Sequence, residues 1–265
     1  MPPADPPAGS PPEPGALIAL DGAMNLRDLG GWMGLDGRTV GYGHVYRCDR
    51  LSDLTDADLI VLADLGIETV IDLRHEGETA EQPSRLWASV VLHRNIPMAG
   101  RLAVQKSLVD LILDGAITEV TVAEVEASYR EMLTRHATGF GRAVETLLAS
   151  KGPALFHCTA GKDRTGLLAM LVLSSVGVSD DDVIRDFGLS NRYRAERRIA
   201  QLRSTFEARG LDIERFRPAL SAPEPALAAA IPWLRRSHGS IEAYLEGAAG
   251  VPDAGRRLRE RLLYP

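Results

Sequence analysis

The chemistry in this 265-residue chain gathers around Cys158 and Arg164, the two ends of CTAGKDR, with His157 just before and Thr165 just after. A cysteine offers a nucleophile once it is a thiolate. An arginine six positions further on offers a planar fork of N–H donors that matches two oxygens of a phosphoryl group. Fully extended, that spacing would hold the two about 20 Å apart. Only a curled loop brings both to one anion. The backbone N–H groups of Thr159, Ala160, Gly161 and Lys162 would then line the curl, with Gly161 permitting the tight turn. Such amides, together with Arg164, favour the thiolate over the thiol. The Thr165 hydroxyl is placed to donate to the sulfur, and His157 is expected to orient the loop by hydrogen bonding rather than to act as the base. Taken singly, a cysteine is usually a small hydrophobe and an arginine a surface charge. Their combination at this spacing arises by chance in on the order of one chain in a thousand or fewer.

Such a loop needs a strand to enter it and a helix to leave it. PALFH before Cys158 has strand length and composition, and the apolar run from Thr165 to Val176 has helix length. The positive end of that helix would face the anion. Upstream, His44 to Arg47, Thr69 to Leu73 and Val90 to Ile96 also read as strands. Thr55 caps a helix to Leu65 with Leu59, Ile60, Leu62 and Ala63 on its buried face. Tyr129 to Leu148 reads as a helix broken near Gly139, and Ser179 caps another with Asp180 to Asp182 in its first turn. Alternating strands and helices predict an α/β fold with a mostly parallel sheet of four or five strands covered by helices.

Other loops are excluded by their letters. A Walker A loop needs glycine where Phe156 stands and Ser or Thr where Asp163 stands, and no dinucleotide fingerprint fits. HCTAGKDRTG resembles the signature of the cysteine-dependent protein tyrosine phosphatases. NLRDLGG at Asn25 to Gly31, VYRCDRLSDLT at Val45 to Thr55, LGIETVIDLR at Leu65 to Arg74 and the C-terminal GSIEAYLEGAAGV are similar to the bacterial tyrosine and lipid phosphatase branch of that superfamily. The resemblance covers about residues 24 to 264. It implies a two-step reaction through a phosphocysteine on Cys158, with no metal or other cofactor. It also implies phosphotyrosine proteins as substrate, with phosphoserine, phosphothreonine or phosphoinositides as further candidates. A general acid is required, and the branch places one after the third strand. The segment HRNIPMAGRL from His93 to Leu102 contains no Asp or Glu. Asp163, inside the loop itself, is therefore the leading acid candidate, with Asp72, Asp49 and Asp28 as secondary ones.

Three further features follow from counts. Of 30 basic residues only Lys106, Lys151 and Lys162 are lysines, so a lysine inside the loop stands out. Lys162 reads either as a second cation for a multiply phosphorylated headgroup or as a solvated charge. Cys48, the second of two cysteines, reads as an inert buried thiol, with a reversible disulfide to Cys158 as the alternative. Asn191 to Arg217 holds eight arginines against four acids. Within it, Tyr193, Ile199, Leu202 and Phe206 fall at helical spacing. A helical lid over residues 191–230 is one reading and a solvated helix face the blander one.

Residues 1–15 hold seven of the 16 prolines and read as a disordered tail before a single domain over 16–265. The net charge of −6 argues against nucleic acid as partner. No apolar run reaches the roughly 18 residues of a membrane span. Without a signal-peptide pattern the expected location is the cytoplasm, and export without a cleaved signal stays open. Two competing functions remain on the same letters: a phosphate-binding module without turnover, and a rhodanese-like sulfur transferase.

Overall fold

The computed structural model describes residues 12–98 and 108–265. Its centre is a five-stranded sheet built from β1 (Arg27–Asp28), β3 (Val45–Cys48), β4 (Thr69–Asp72), β5 (Leu92–Asn95) and β6 (Ala154–His157), in the order β1-β3-β6-β4-β5. Four strands run parallel and only β1 is antiparallel, to β3. A separate antiparallel pair joins β2 (Thr39–Val40) to β7 (Leu263–Tyr264). Every residue of β3, β4 and β6 is buried, as expected of strands covered on both faces. The β6 strand is inserted between β3 and β4, and its end, His157, lies in register with Cys48 and Asp72. Ligands of open parallel sheets collect at this carboxyl edge.

The covering helices before the loop are α1 (Asp56–Asp64), α2 (Glu76–Glu81), α3 (Leu108–Leu113), α4 (Val122–Arg135) and α5 (Ala137–Ala149). After it come α6 (Asp163–Ser175), α7 (Asp180–Ser190), α8 (Glu196–Glu207), α9 (Arg217–Leu220), α10 (Glu224–His238), α11 (Ile241–Gly247) and α12 (Ala254–Leu262). In α6 every residue from Thr165 to Leu173 is buried, so the helix that ends the loop is also the axis of the larger core. Its position is fixed all round rather than by one face.

The caps at Thr55 and Ser179 form as expected. Three expectations shift. Ile60 is 64% exposed, because the buried stripe of α1 runs through Leu59, Leu62 and Ala63, spaced i, i+3 and i+4, and Ile60 stands one residue off it. The break expected near Gly139 falls at His136, which ends α4 and starts α5; Gly139 is simply a helix residue packed toward Met98. The loop helix starts at Asp163, two residues before Thr165.

Residues 1–11 of the expected tail lie outside the described residues. Residues 12–15 turn onto the domain: the Tyr193 hydroxyl donates to the Gly15 carbonyl at 3.0 Å, and Gly15, at φ +73°, packs against Leu189. Between α7 and α8 the residues Asn191–Ala195 form one π turn. From there α8, a 3₁₀ turn at Ile213–Phe216, and α9 make an arm with its own small core. Ile199, Leu202 and Phe206 lie in that core as their spacing predicts, and Ile112 from α3 joins them. No helix among the described residues is long and apolar enough to cross a membrane.

Candidate active site

Strand β6 delivers His157 and Cys158 to the carboxyl edge, the chain curls through Thr159–Lys162, and α6 begins. Gly161 sits at φ +65°, and a Cβ there would lie 2.5 Å from the Cys48 carbonyl oxygen and 2.7 Å from the Asp49 nitrogen. No other residue type fits a left-handed turn pressed so closely on a neighbouring backbone.

The carbonyls of the curl are held outward by a buried polar network. Asn25 Nδ2 donates to the Gly161 oxygen at 3.0 Å and to that of Ala160 at 3.5 Å, and Arg47 donates to the Gly161 oxygen at 2.8 Å. Arg47 and Arg27 share the Asp186 carboxylate, at 2.5 and 2.9 Å. All three side chains are essentially inaccessible to solvent. Burial opposes the Asp186 charge, but the two guanidiniums outweigh it and hold its carboxyl below the ordinary range. With two of its carbonyls tied to this side, the loop is free to turn amides toward the anion. Asn25 and Arg27 come from the NLRD segment, whose letters alone gave no such role.

Arg164 folds back along the loop. Nη1 and Nη2 donate to the two oxygens of Glu78 at 2.6 and 2.8 Å, and Nη1 also reaches the Leu73 and Met98 carbonyls. One edge of the guanidinium is thereby fixed by α2, and the Nε edge remains for an incoming anion. Burial alone would raise the Glu78 carboxyl. The hydrogen bond and charge of Arg164, the Thr159 hydroxyl and the His75 N–H outweigh burial and bring it down to about 2. Glu78 has no distinguishing pattern in the sequence.

Cys158 is 2% exposed, at the head of this curl. His157 Nδ1 donates to the Cys158 carbonyl at 3.2 Å, and burial lowers its imidazole to about 4. Thr165 departs from expectation. Its hydroxyl is buried without a hydrogen-bond partner, the Cys158 sulfur included.

Of the four acid candidates, only Asp163 belongs to the exit of the loop itself, as the first residue of α6. Its Oδ1 accepts from the Tyr129 hydroxyl at 2.7 Å, and Lys162 Nζ lies at 3.0 to 3.1 Å. Burial first, then the Asp163 and Cys158 charges, push the Tyr129 hydroxyl well above its ordinary pKa, so it remains a donor. Tyr129 is a further contributor whose letters show only a helix residue.

The other three face partners of their own, although burial raises the Asp28 carboxyl to about 6. Asp72 is paired in fork geometry with Arg74 and lies 3.6 Å from His157; burial would raise it, but its His93, His157 and Arg74 neighbours hold it far below the carboxylate range. Asp49 accepts the Met24 and Asn25 amides and faces Arg194. Asp28 pairs with Tyr46, two residues before the carboxyl edge, and accepts the Gly30 and Gly43 amides. The segment after β5 is described only to Met98, and residues 99–107 lie outside the described set.

Lys162 fits neither of its expected roles. Nζ donates to the Ala219 and Ser221 carbonyls at 2.8 and 3.0 Å, which ties the loop to the end of the arm. Cys48 packs with Tyr46 and Leu155 in the second core cluster, whereas Cys158 belongs to the first, across the sheet. Burial, then Asp49, push the Cys48 thiol well up. The inert reading fits this placement, and the disulfide to Cys158 does not. Among the described residues no group of three or more His, Cys, Asp or Glu side chains is arranged to hold a metal ion.

A cysteine heading a tight curl that closes on an arginine held by Glu78 agrees with what sequence comparison finds. The profile of the tyrosine phosphatase family matches residues 18–264. The chain belongs to the tyrosine phosphatase family. A Cupriavidus necator protein provisionally named a tyrosine-protein phosphatase is 32% identical, over 91% of this chain and 86% of its own length. The triple specificity protein phosphatase PtpB of Mycobacterium tuberculosis is 31% identical, over 94% of this chain and 99% of its own. Among solved structures, P. aeruginosa TpbA aligns with 69% of this chain and 89% of its own at 19% identity and a TM-score of 0.30. Membership of the tyrosine phosphatase family makes the chain a phosphomonoester hydrolase acting on phosphotyrosine.

Proposed function

We propose that this tyrosine phosphatase works through Cys158 as nucleophile, with Arg164 and the Thr159–Lys162 amides binding the phosphoryl group and Asp163 moving the proton. The observation that carries the reading is the Arg164 guanidinium, held by Glu78 on one edge and free on the other, over a loop headed by Cys158. In the first step the Cys158 thiolate forms an S–P bond as the P–O bond to the leaving group breaks. Asp163, protonated, delivers its proton to the departing oxygen. In the second step the Asp163 carboxylate takes a proton from water as that water attacks phosphorus. The S–P bond breaks, releasing inorganic phosphate and restoring the thiolate. Arg164 follows the equatorial oxygens throughout, which is where an oriented donor lowers the barrier most.

Phosphotyrosine is the primary substrate in this reading. Breadth toward phosphoserine and phosphothreonine is supported by the triple specificity of the mycobacterial relative. The phosphoinositide reading loses its expected support, because the Lys162 ammonium is bound to arm carbonyls. Hydrolysis of para-nitrophenyl phosphate without added metal, abolished by Cys158→Ser and blocked by vanadate, tests the mechanism. A panel of phosphotyrosine, phosphoserine and phosphoinositide substrates tests its range. Full activity in Cys158→Ser would overturn the assignment.

A further inference from the structure

The arm and the loop after β3 bring three arginines together beside the phosphate loop. Arg194 and Arg198 stand four residues apart on one face of the helix that runs out of the π turn. Arg50 follows Asp49, and its backbone N–H donates to the Thr159 carbonyl of the phosphate loop at 3.3 Å. The backbone of Cys48 and Asp49 is the surface against which Gly161 is pressed. The cluster is thus seated directly on the flank of the anion-binding curl.

Its charges are not balanced from within. Arg50 is paired with Asp53 at 2.7 Å, and Arg194 with Asp49 at 3.4 Å. Asp49 spends one oxygen on the amides of Met24 and Asn25. The Arg194 Nε that faces Asp49 is buried and makes no hydrogen bond with it, so this pairing is by charge alone. Arg198 has no carboxylate partner among the described residues, and it feels Arg194 and Arg50 as like charges. Three cations against two carboxylates leave a local excess of one in a protein whose net charge is −6. Like charges packed at a half-buried site oppose folding unless an anion completes them.

We propose that Arg50, Arg194 and Arg198 form a second anion subsite, which takes a carboxylate side chain flanking the phosphotyrosine of a peptide substrate. This rests on the reading of Cys158 and Arg164 as the phosphate site. A guanidinium fork matches a carboxylate in fixed geometry, and a flanking Asp or Glu comes with the same extended chain that delivers the phosphotyrosine. A bilayer surface fits less well. The apolar side chains of the arm are turned into its own core, and the exposed large apolar residues, such as Ile60, Val91 and Met33, belong to other parts of the fold.

The test uses two matched phosphotyrosine peptides, one with Asp and Glu on both sides of the phosphotyrosine and one with Asn and Gln in their places. Each is measured as kcat/KM with the full chain and as Kd with Cys158→Ser. The acidic peptide should be preferred about three- to tenfold at low salt, as expected of partly exposed charge pairs, and the preference should shrink as salt rises. Arg198→Ala should remove most of that ratio, and Arg198→Glu should bring it to one or below. Arg256→Ala, at an exposed residue of α12 paired with Asp253 and Glu260, should leave the ratio as it is. Equal values for the two peptides, or a ratio unmoved by Arg198→Glu, would overturn the subsite. So would a loss confined to phosphoinositide vesicles, which would make the cluster a headgroup contact. If no phosphopeptide or para-nitrophenyl phosphate is turned over, the catalytic reading fails, while the Kd ratio still reads the subsite.

Discussion

The two flanks of the phosphate loop are built from different materials. Toward β1 and β3, the Asn25, Arg27, Arg47 and Asp186 side chains form a dry network in which two guanidiniums share one carboxylate and nothing faces water. Toward α4 and the arm, Tyr129, Asp163 and Lys162 form a chain of hydrogen bonds that runs from α4 to the Ala219 and Ser221 carbonyls. Asp163 in the middle of that chain is 31% exposed. A proton carrier has to meet solvent and substrate, whereas a scaffold does not. The fold therefore places the unyielding pairs behind the loop and the exchangeable contacts before it.

Removing a charge from the dry flank should show the contrast at its largest. Asp186→Ala leaves two buried guanidiniums without their shared partner, a cost of about 3–5 kcal/mol and a fall in Tm on the order of 10 °C by calorimetry. A variant as stable as the parent would mean that the network is not what holds the loop. On the wet flank the damage should be to chemistry instead. Asp163→Asn should lower kcat by about 100-fold or more for phenyl phosphates with poor leaving groups and far less for para-nitrophenyl phosphate, with Tm nearly unchanged. Equal losses across leaving groups would take the proton-transfer role away from Asp163.

His157 lies between the flanks and yields a pH signature. Its folded-state value of about 4 is below the 6.5 of the unfolded chain, so between the two the unfolded chain binds the extra proton. Its contribution is whole above about pH 6.5 and is lost as pH falls toward 4, by on the order of 1–3 kcal/mol. Denaturant titrations across that window should show the slope, and His157→Gln should flatten it. The smallest effect is expected at the arm. Lys162→Met should cost about 1–2 kcal/mol and speed proteolytic cleavage near 208–212, where few contacts resist opening. An unchanged cleavage rate would mean that the arm is held by its own core alone.

Which parts were legible in the sequence follows the same division by distance along the chain. HCTAGKDRTG is local, so its strand, curl and helix could be read from adjacent letters, and the parallel sheet followed from alternating periodicities. Asp186 meets Arg27 and Arg47 across sequence separations of 159 and 139 residues, and Glu78 meets Arg164 across 86. Nothing in the letters around an acid announces a cation so far away. Asp28, Asp49 and Asp72 stand as secondary candidates behind Asp163 in the sequence for that reason; the sheet register sets Asp28 back from the edge, and amides and arginines claim the other two. Lys162 misled because its scarcity is visible in the sequence and its carbonyl partners are not.

The π turn at Asn191–Ala195, where the Glu196 N–H donates to the Asn191 carbonyl, carries one residue more than an α-helix needs. Deleting a single residue there would straighten the helix and rotate everything beyond it by about 100° about its axis. The arginines would swing off the phosphate-loop flank, and Ile199, Leu202 and Phe206 would leave their core in the same movement. The orientation of the whole arm is thus held in the length of one short segment, and a change in length there would matter more than most changes of residue type.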